Sequence, residues 1–449
     1  MVLEPVNNLA EAEAFLFNGL PKSPKTLFKH GKGIQRSRQF FELLGNPQNN
    51  LRAIHIAATS GKGSTSHILD ELLRAHGKTV GLHVSPHVYD YRERMIVNGK
   101  LISENVLVET LNSILPAIQK MDASEAGRPT YFEVSNGLAF SIFSNQGLDY
   151  SVIETGLGGM NDSTNTSERD DKGAVIGQIG EDHVDILADP GQLIDAHADG
   201  LIPESFINLP TIVERIAVQK AGIIPFGGTV LALSQDPAVN KIFEDMAAFR
   251  NAKLHWVKRR DLLGVPFNLP GDFQLDNLAL ALSALEYIAE RDGWQVSDDA
   301  IRLALGKVVL PGRFEVRKYK DKMMILDGSH NPQKMKALVE AFEQRCPNQQ
   351  ATIILAIGST KDAEATLKEL SPIAQHIICT DFFTNRQDFK TAAVRPVELA
   401  AMAKRCTNAK VTIASSHQNA LDQAVSSESD ILLLTGSFYF LGEINTLLV

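Results

Sequence analysis

The stretch Ile54-His-Ile-Ala-Ala-Thr-Ser-Gly-Lys-Gly-Ser-Thr65 decides how this chain is read. An apolar run feeds a glycine turn, and the turn feeds a helical pattern. Residues 51–58 read as a buried strand, and residues 63–77 as a helix ending on a C′ glycine. Consecutive N–H groups at such a helix start cradle an anion, and Lys62 adds a point charge. Thr59, Ser60, Gly61, Lys62, Gly63, Ser64 and Thr65 are therefore the expected phosphate-binding residues. The strict P-loop pattern asks for Gly at 56 and Ser or Thr at 63, but this chain has Ile56 and Gly63. The strict motif fails, while Gly61-Lys62-Gly63-Ser64-Thr65 keeps its chemistry. The competing reading is a glycine-rich turn with a surface lysine.

Outward from this stretch, short apolar runs alternate with helical patterns throughout, which predicts an α/β protein. Further strands are expected at 79–84, 150–154, 174–179 and 229–233, and an amphipathic helix at 275–290. After the turn-forming Leu310-Pro311-Gly312 a second alternation begins, with strands expected at 322–327, 351–357, 376–380, 410–413 and 430–435. The 449 residues exceed one ordinary core. The expected organisation is a P-loop-type central sheet domain over 1–309, followed by a smaller Rossmann-like α/β domain over 310–449.

With 44% hydrophobic and 22% charged residues, the composition is that of a globular protein without a membrane-length apolar run. Glu4, Glu11 and Glu13 argue against a signal peptide. Cys346, Cys379 and Cys406 are scattered without metal spacing, as in a reducing compartment, so the expected location is cytoplasmic. A net charge of −9 argues against nucleic-acid partners. An acidic protein that handles ATP must concentrate positive charge locally, through backbone N–H groups, a lysine and metal ions.

The loop is similar to the Thr-Asn-Gly-Lys-Gly-Ser/Thr loop of the Mur ligase superfamily, and in particular of its folylpolyglutamate synthase/dihydrofolate synthase branch. Further matches follow in that family's order. They are Ser85-Pro86-His87, Glu93-Arg94, Val97-Asn98-Gly99, Phe132-Glu133, Ile153-Glu154-Thr-Gly-Leu-Gly-Gly159, Asp162-Ser-Thr-Asn165, Asp182-His183 and Lys220-Ala-Gly-Ile-Ile224. Pro311-Gly-Arg-Phe314, Asp327-Gly-Ser-His-Asn-Pro332 and Thr435-Gly-Ser-Phe-Tyr439 complete the set. The resemblance implies a ligase that uses ATP and Mg²⁺, with two ions expected, to join L-glutamate to a folate-type carboxylate. Dihydropteroate and reduced folate both remain open as acceptor. The γ-phosphate moves to the carboxylate, and the glutamate amine displaces phosphate from the acyl phosphate. The resemblance also implies sites in the cleft between the domains, small-molecule partners only, and a monomer.

By family position, Ser85, Glu154 and His183 are the expected metal ligands, and Glu154 also ends an apolar strand, where open α/β sheets place their sites. Lys220 matches a lysine that is commonly carbamylated, which turns a cation into an anion able to support the metal; a helix-end lysine before a Gly222 stop is the plain alternative. Gln274 and Asn277 match the adenine-side helix, and i and i+3 share one face. Arg313 resembles the arginine that reaches ATP phosphate. Asp327 and His330 resemble the pair that closes over nucleotide and glutamate, and Ser437 the serine near glutamate. Thr130-x-x-Glu133 reads as a capping box rather than as catalytic machinery.

The match departs at Ala58 (family Gly), Ser60 (Asn), Met160-Asn161 (Arg-Leu) and Gln219 (an acid). His183 and Lys220 lie 37 positions apart, a surplus on the order of 20 residues over the family, expected to form a loop insertion at about 189–210. Two other readings stay open. One is a Mur-like amide ligase with a different acceptor, and the other a non-catalytic ATP-binding protein of the same fold.

Overall fold

The computed structural model describes residues 3–22, 32–169, 171–259, 267, 269–384 and 391–448. The chain forms two compact units. The first gathers Met1–His87, Arg92–Pro266 and Phe273–Val308; the second gathers Val88–Tyr91, Phe267–Asp272 and Val309–Val449.

In the first unit, helices α1 (Leu9–Asn18) and α2 (Lys32–Leu43) precede strand β1 (Ala53–Ala57) and helix α3 (Lys62–Ala75). Then come β2 (Val80–His83), the short hairpin β3 (Ile96–Val97) and β4 (Lys100–Leu101), α4 (Glu104–Asp122), α5 (Tyr131–Gln146) and β5 (Tyr150–Glu154). They are followed by β6 (Gly173–Ile176), α6 (Val184–Leu187), α7 (Pro190–Ala198), α8 (Ile212–Ala221), β7 (Thr229–Leu233), α9 (Pro237–Phe249) and β8 (Lys253–Val257). Helices α10 (Phe273–Asp292) and α11 (Asp298–Leu305) close the unit.

These strands build an eight-stranded sheet in the order β4-β3-β2-β5-β1-β6-β7-β8, parallel except for β3, which runs antiparallel to both β2 and β4. Strand β1 is central and buried along its whole length, as a parallel strand covered on both faces must be. Edge strand β8 shows why the sequence did not announce it. In Lys253-Leu-His-Trp-Val257 apolar and exposed polar positions alternate, so no continuous apolar run marks it.

The second unit continues with β9 (Glu315–Tyr319), β10 (Lys322–Asp327), α12 (Pro332–Arg345), β11 (Ala351–Leu355), α13 (Ala363–Leu370) and β12 (Ala374–Cys379). Then follow β13 (Phe383–Thr384), β14 (Thr391–Ala392), α14 (Pro396–Cys406), β15 (Lys410–Ile413), α15 (His417–Val425), β16 (Ile431–Thr435) and α16 (Phe438–Asn445). Its six-stranded sheet runs β15-β12-β11-β16-β10-β9, with only β9 antiparallel. Val88 packs inside this unit's core with Met324, Leu326, Phe440 and Leu441. None of the described helices is long and apolar enough to cross a membrane.

One expectation needs correction: residues 189–210 are not a loop. Asp189 caps α7 by accepting from Gly191 N–H, and Leu193, Ala196, Ile202 and Phe206 are buried in one cluster with Ile216, Ala217, Val218 and Ala221 of α8. Asp189 and Pro190, loop-like in composition, are the N-cap and N1 residues of a short helix. Gly222 is the C-cap of α8, with φ −60°. Glycine is needed there because a Cβ would lie 2.2 Å from Met160 Cβ.

Candidate active site

The glycine turn joins β1 to α3 at the C-terminal end of the sheet. Gly61 takes φ +85°, and a Cβ there would stand 2.1 Å from Asn277 Oδ1, so conformation and space both demand glycine. The buried Asn277 thus packs on the turn. Its Oδ1 accepts from Thr65 Oγ1 at 3.4 Å, and its Nδ2 donates to Gln274 Oε1 at 2.8 Å. The i, i+3 pair therefore braces the turn from α10. Thr59 pins the other side, with its N–H on Gln178 O at 2.8 Å and its hydroxyl on Gly180 O at 3.0 Å. Ala58 fits because residue 177 is glycine; a Cβ there would meet the Ala58 methyl at 3.0 Å. The first N–H groups of α3, from Lys62, Gly63 and Ser64, have no acceptor within the helix and face the turn.

Two lysines converge on one carbonyl. Lys62 Nζ and Lys220 Nζ each donate to Ala58 O at 3.0 Å. Lys62 reaches it from the start of α3, Lys220 from the last turn of α8. Lys220 is 2% exposed. Burial, reinforced by the charge of Lys62, lowers its pKa to about 7, and Asp182 and Asp162 only partly oppose this. At neutral pH much of this amine is uncharged, unlike an ordinary lysine.

Glu154 ends β5 and is buried. Its Oε2 accepts from Ser85 N–H at 3.1 Å, which brings these two expected ligands side by side from neighbouring strands β5 and β2. His183 lies at the start of α6 with φ +45°. Its side chain is 49% exposed and its Nε2 is 3.7 Å from Asp182 Oδ1. Backbone held in that sparse region concentrates at functional sites. Among the described residues no group of three or more His, Cys, Asp or Glu is placed to hold a metal. Mg²⁺ suits so thin a set. It takes one or two carboxylates and completes its octahedron with phosphate oxygens and water.

Several residues here escaped the sequence reading. The turn after Glu154 is tied by Asp162, whose Oδ2 accepts from Leu157 N–H at 2.7 Å and whose Oδ1 accepts from Thr164 N–H at 2.9 Å. Burial raises the Asp162 carboxyl against these donors. Thr164 in turn bonds the buried His55 of β1 at 2.9 Å. Met160 N–H donates to Gln219 O at 2.7 Å, joining this turn to α8. The signal was the Asp162-Ser-Thr-Asn165 string itself, quoted only as a match although a buried Asp in a turn must find donors.

In the second unit, Asp327 ends β10. Its two oxygens accept from Ser329 N–H and Phe314 N–H, both at 2.8 Å; burial raises its carboxyl while those bonds and Arg313 lower it. Phe314 holds φ +48° to make its bond. Arg313 stacks over the Phe438 ring at 5.1 Å. His330 Nδ1 donates to Gly328 O at 2.8 Å, and Nε2 faces Lys334 Nζ at 3.4 Å. Ser437 caps α16 by accepting from Tyr439 N–H at 3.1 Å. All four lie at the C-terminal ends of β10 and β16 or in the turn before β9. Glu133 is the expected cap: Thr130 and Glu133 form the reciprocal box, and Arg36 grips the same carboxylate at 2.8 and 2.9 Å.

The chain is similar to known proteins along its whole length. Residues 312–438 match the family model "Mur ligase, glutamate ligase domain". Over 426 residues the chain is 30% identical to a dihydrofolate synthase/folylpolyglutamate synthase of Bacillus subtilis, spanning 92% of this chain and 94% of that protein. A solved folylpolyglutamate synthase of Thermotoga maritima is 26% identical with a TM-score of 0.79, covering 98% of this chain and 96% of its own. A bifunctional folylpolyglutamate synthase/dihydrofolate synthase of Yersinia pestis, solved with AMPPNP and a Mn ion, is 26% identical with a TM-score of 0.76 and covers all of both chains.

Proposed function

The chain belongs to the dihydrofolate synthase/folylpolyglutamate synthase family, and on that premise we propose that it is an ATP-dependent ligase joining L-glutamate to a folate-type carboxylate. The acceptor class is dihydropteroate, a reduced folate polyglutamate, or both. The observation that carries this reading is the convergence of Lys62 and Lys220 on Ala58 O at the mouth of a glycine turn. The Ser85–Glu154 pair at the end of the same sheet adds to it.

Joining a carboxylate to an amine at neutral pH needs an activated acyl group. The acceptor carboxylate attacks the γ-phosphorus of ATP, the bond to the β-phosphate oxygen breaks, and ADP leaves. The glutamate amine then attacks the acyl carbon, a proton is lost, and inorganic phosphate departs. Phosphoryl transfer rests on positioning and on neutralising charge over the oxygens. The α3 N–H groups and Lys62 hold the phosphates, with Gly61 letting the backbone approach. Ser85, Glu154 and His183 would hold Mg²⁺, whose positive charge offsets that of the triphosphate oxygens. The neutral Lys220 amine can add CO₂: an N–C bond forms, a proton leaves, and the resulting carbamate would be an anion able to support a metal held by those three residues. Asp327 at the end of β10 and Arg313 in the turn before β9 are assigned to the nucleotide, and His330 and Ser437 to glutamate, by their positions in the family's motifs. We assign residues 1–309 to ATP binding and 310–449 to the glutamate-ligase domain, in a cytoplasmic monomer.

The test is phosphate release from ATP measured with a panel of dihydropteroate, tetrahydrofolate and unrelated carboxylates. Release should require glutamate and a pterin-bearing acceptor together. Release that ignores the pterin would favour a ligase of another acceptor, and no release with any acceptor would favour a binding protein.

A further inference from the structure

Two buried amides link the helix that carries Lys220 to the segment that lengthens this chain. Gln219 Nε2 donates to Gln192 Oε1 at 3.1 Å, and Gln192 Nε2 donates to Ile186 O at 2.6 Å. The two glutamines are only 1% and 4% exposed. The Ile186 carbonyl can only accept, so Gln192 must turn its NH₂ to it and its oxygen to Gln219; Gln219 must then present its own NH₂. On its backbone side Gln219 O accepts from Met160 N–H at 2.7 Å, in the turn that follows Glu154. Leu187 of α6 closes on that turn as well: a Cβ at Gly158 would lie 2.8 Å from Leu187 Cδ2.

We propose that Gln192 is a positioning residue for Lys220. Through Gln219 it sets the depth and rotation of the last turn of α8, so that Lys220 Nζ arrives on Ala58 O. The proposal rests on the role given to Lys220 above. It also gives Gln219 a physical reason. A carboxylate at 219 could only accept, and would face the Gln192 oxygen. Flipping Gln192 to suit it would turn that oxygen onto the Ile186 carbonyl instead. The neutral amide at 219 and the α7 segment are thus one device. Burying an unmatched acceptor in such a network is costly.

The experiment compares the full-length parent with Gln192→Met, Gln219→Glu and Lys220→Ala, measuring kcat, KM for ATP, thermal midpoint and the response to added bicarbonate. Gln192→Met keeps volume and deletes both bonds. It should lower kcat about tenfold or more, as loss of supporting partners does at such sites, while KM for ATP stays near the parent's and the midpoint falls only by the few degrees that an unpaired buried amide and carbonyl cost. Bicarbonate should restore part of that rate, because a displaced amine holds CO₂ less well; a purely structural defect would not respond. Gln219→Glu should behave in the same way and serves if Gln192→Met folds poorly. Parental kcat in Gln192→Met beside an inactive Lys220→Ala overturns the proposal and leaves the Lys220 reading intact. A slow Gln192→Met that ignores bicarbonate shows the amides acting elsewhere, and also overturns it. Full activity in Lys220→Ala removes the Lys220 reading, and the proposal falls with it.

Discussion

At the scale of single residues, the site turns on charges that the fold has taken out of water. Glu154→Gln keeps the size of the side chain and removes its charge from beside Ser85. If Glu154 holds Mg²⁺, the rate should fall on the order of a thousandfold, equivalent to several kcal/mol of transition-state stabilisation. The melting temperature should hardly move; activity within a few-fold of the parent at saturating Mg²⁺ would remove the metal role. Lys220 supplies a pH test. With its pKa lowered to about 7, the reactive neutral amine grows as pH rises through neutrality. At fixed dissolved CO₂, the initial rate of carbamylation should therefore rise between about pH 6 and 8 and then level off, whereas the rate at an ordinary lysine would still be rising near pH 10. Native mass measurement should find the mass of one CO₂, lost in acid. The sequence named both residues but not their state. Burial and the nearness of Lys62 come from strands and helices far apart in the chain.

At the scale of elements, the segment between His183 and Lys220 is where composition misled. Its Asp and Pro residues do the work of helix capping, and its apolar residues bury against α8. Trimming 189–210 to a few residues would strip that face, so the weak dependence of loop closure on length does not govern the outcome. Leu193 is fully buried, and Leu193→Ala should cost about 2–5 kcal/mol, read from the urea midpoint at constant slope. A cost below about 1 kcal/mol would mean that the segment is loosely attached. By contrast, α3, α10, β5 and β7 were legible, since a strand buried on both faces writes a continuous apolar run and a helix writes a 3.6-residue period. Edge strands such as β8 write neither.

At the scale of the whole molecule, the second unit is assembled from three separate segments of chain. Tyr89 OH donates to Glu315 Oε2 at 2.6 Å, and the Tyr89 ring faces the Arg317 guanidinium at 4.8 Å. Tyr89→Phe keeps the ring and should lower the stability of this unit by about 1.5–3 kcal/mol, the range for a hydrogen bond to a charged acceptor. A fragment 309–449 lacks Val88 from its core and should unfold at lower urea than the same unit does in the full chain. Equal midpoints would show that Val88–Tyr91 contributes nothing to that core.

The sequence by itself determined the α/β class, the glycine turn with its lysine, and a family order of motifs long enough to point to the reaction. Those features are local: periodicity and turn chemistry depend on neighbours a few residues apart. Only the tertiary structure decided that Lys62 and Lys220 share the Ala58 carbonyl, that Asn277 makes Gly61 obligatory, and that Gln219 answers Gln192 rather than a cation. Each of these depends on side chains separated by tens to hundreds of positions. Whether a buried amide or amine is satisfied is settled by what the fold brings to it, and no local pattern records that.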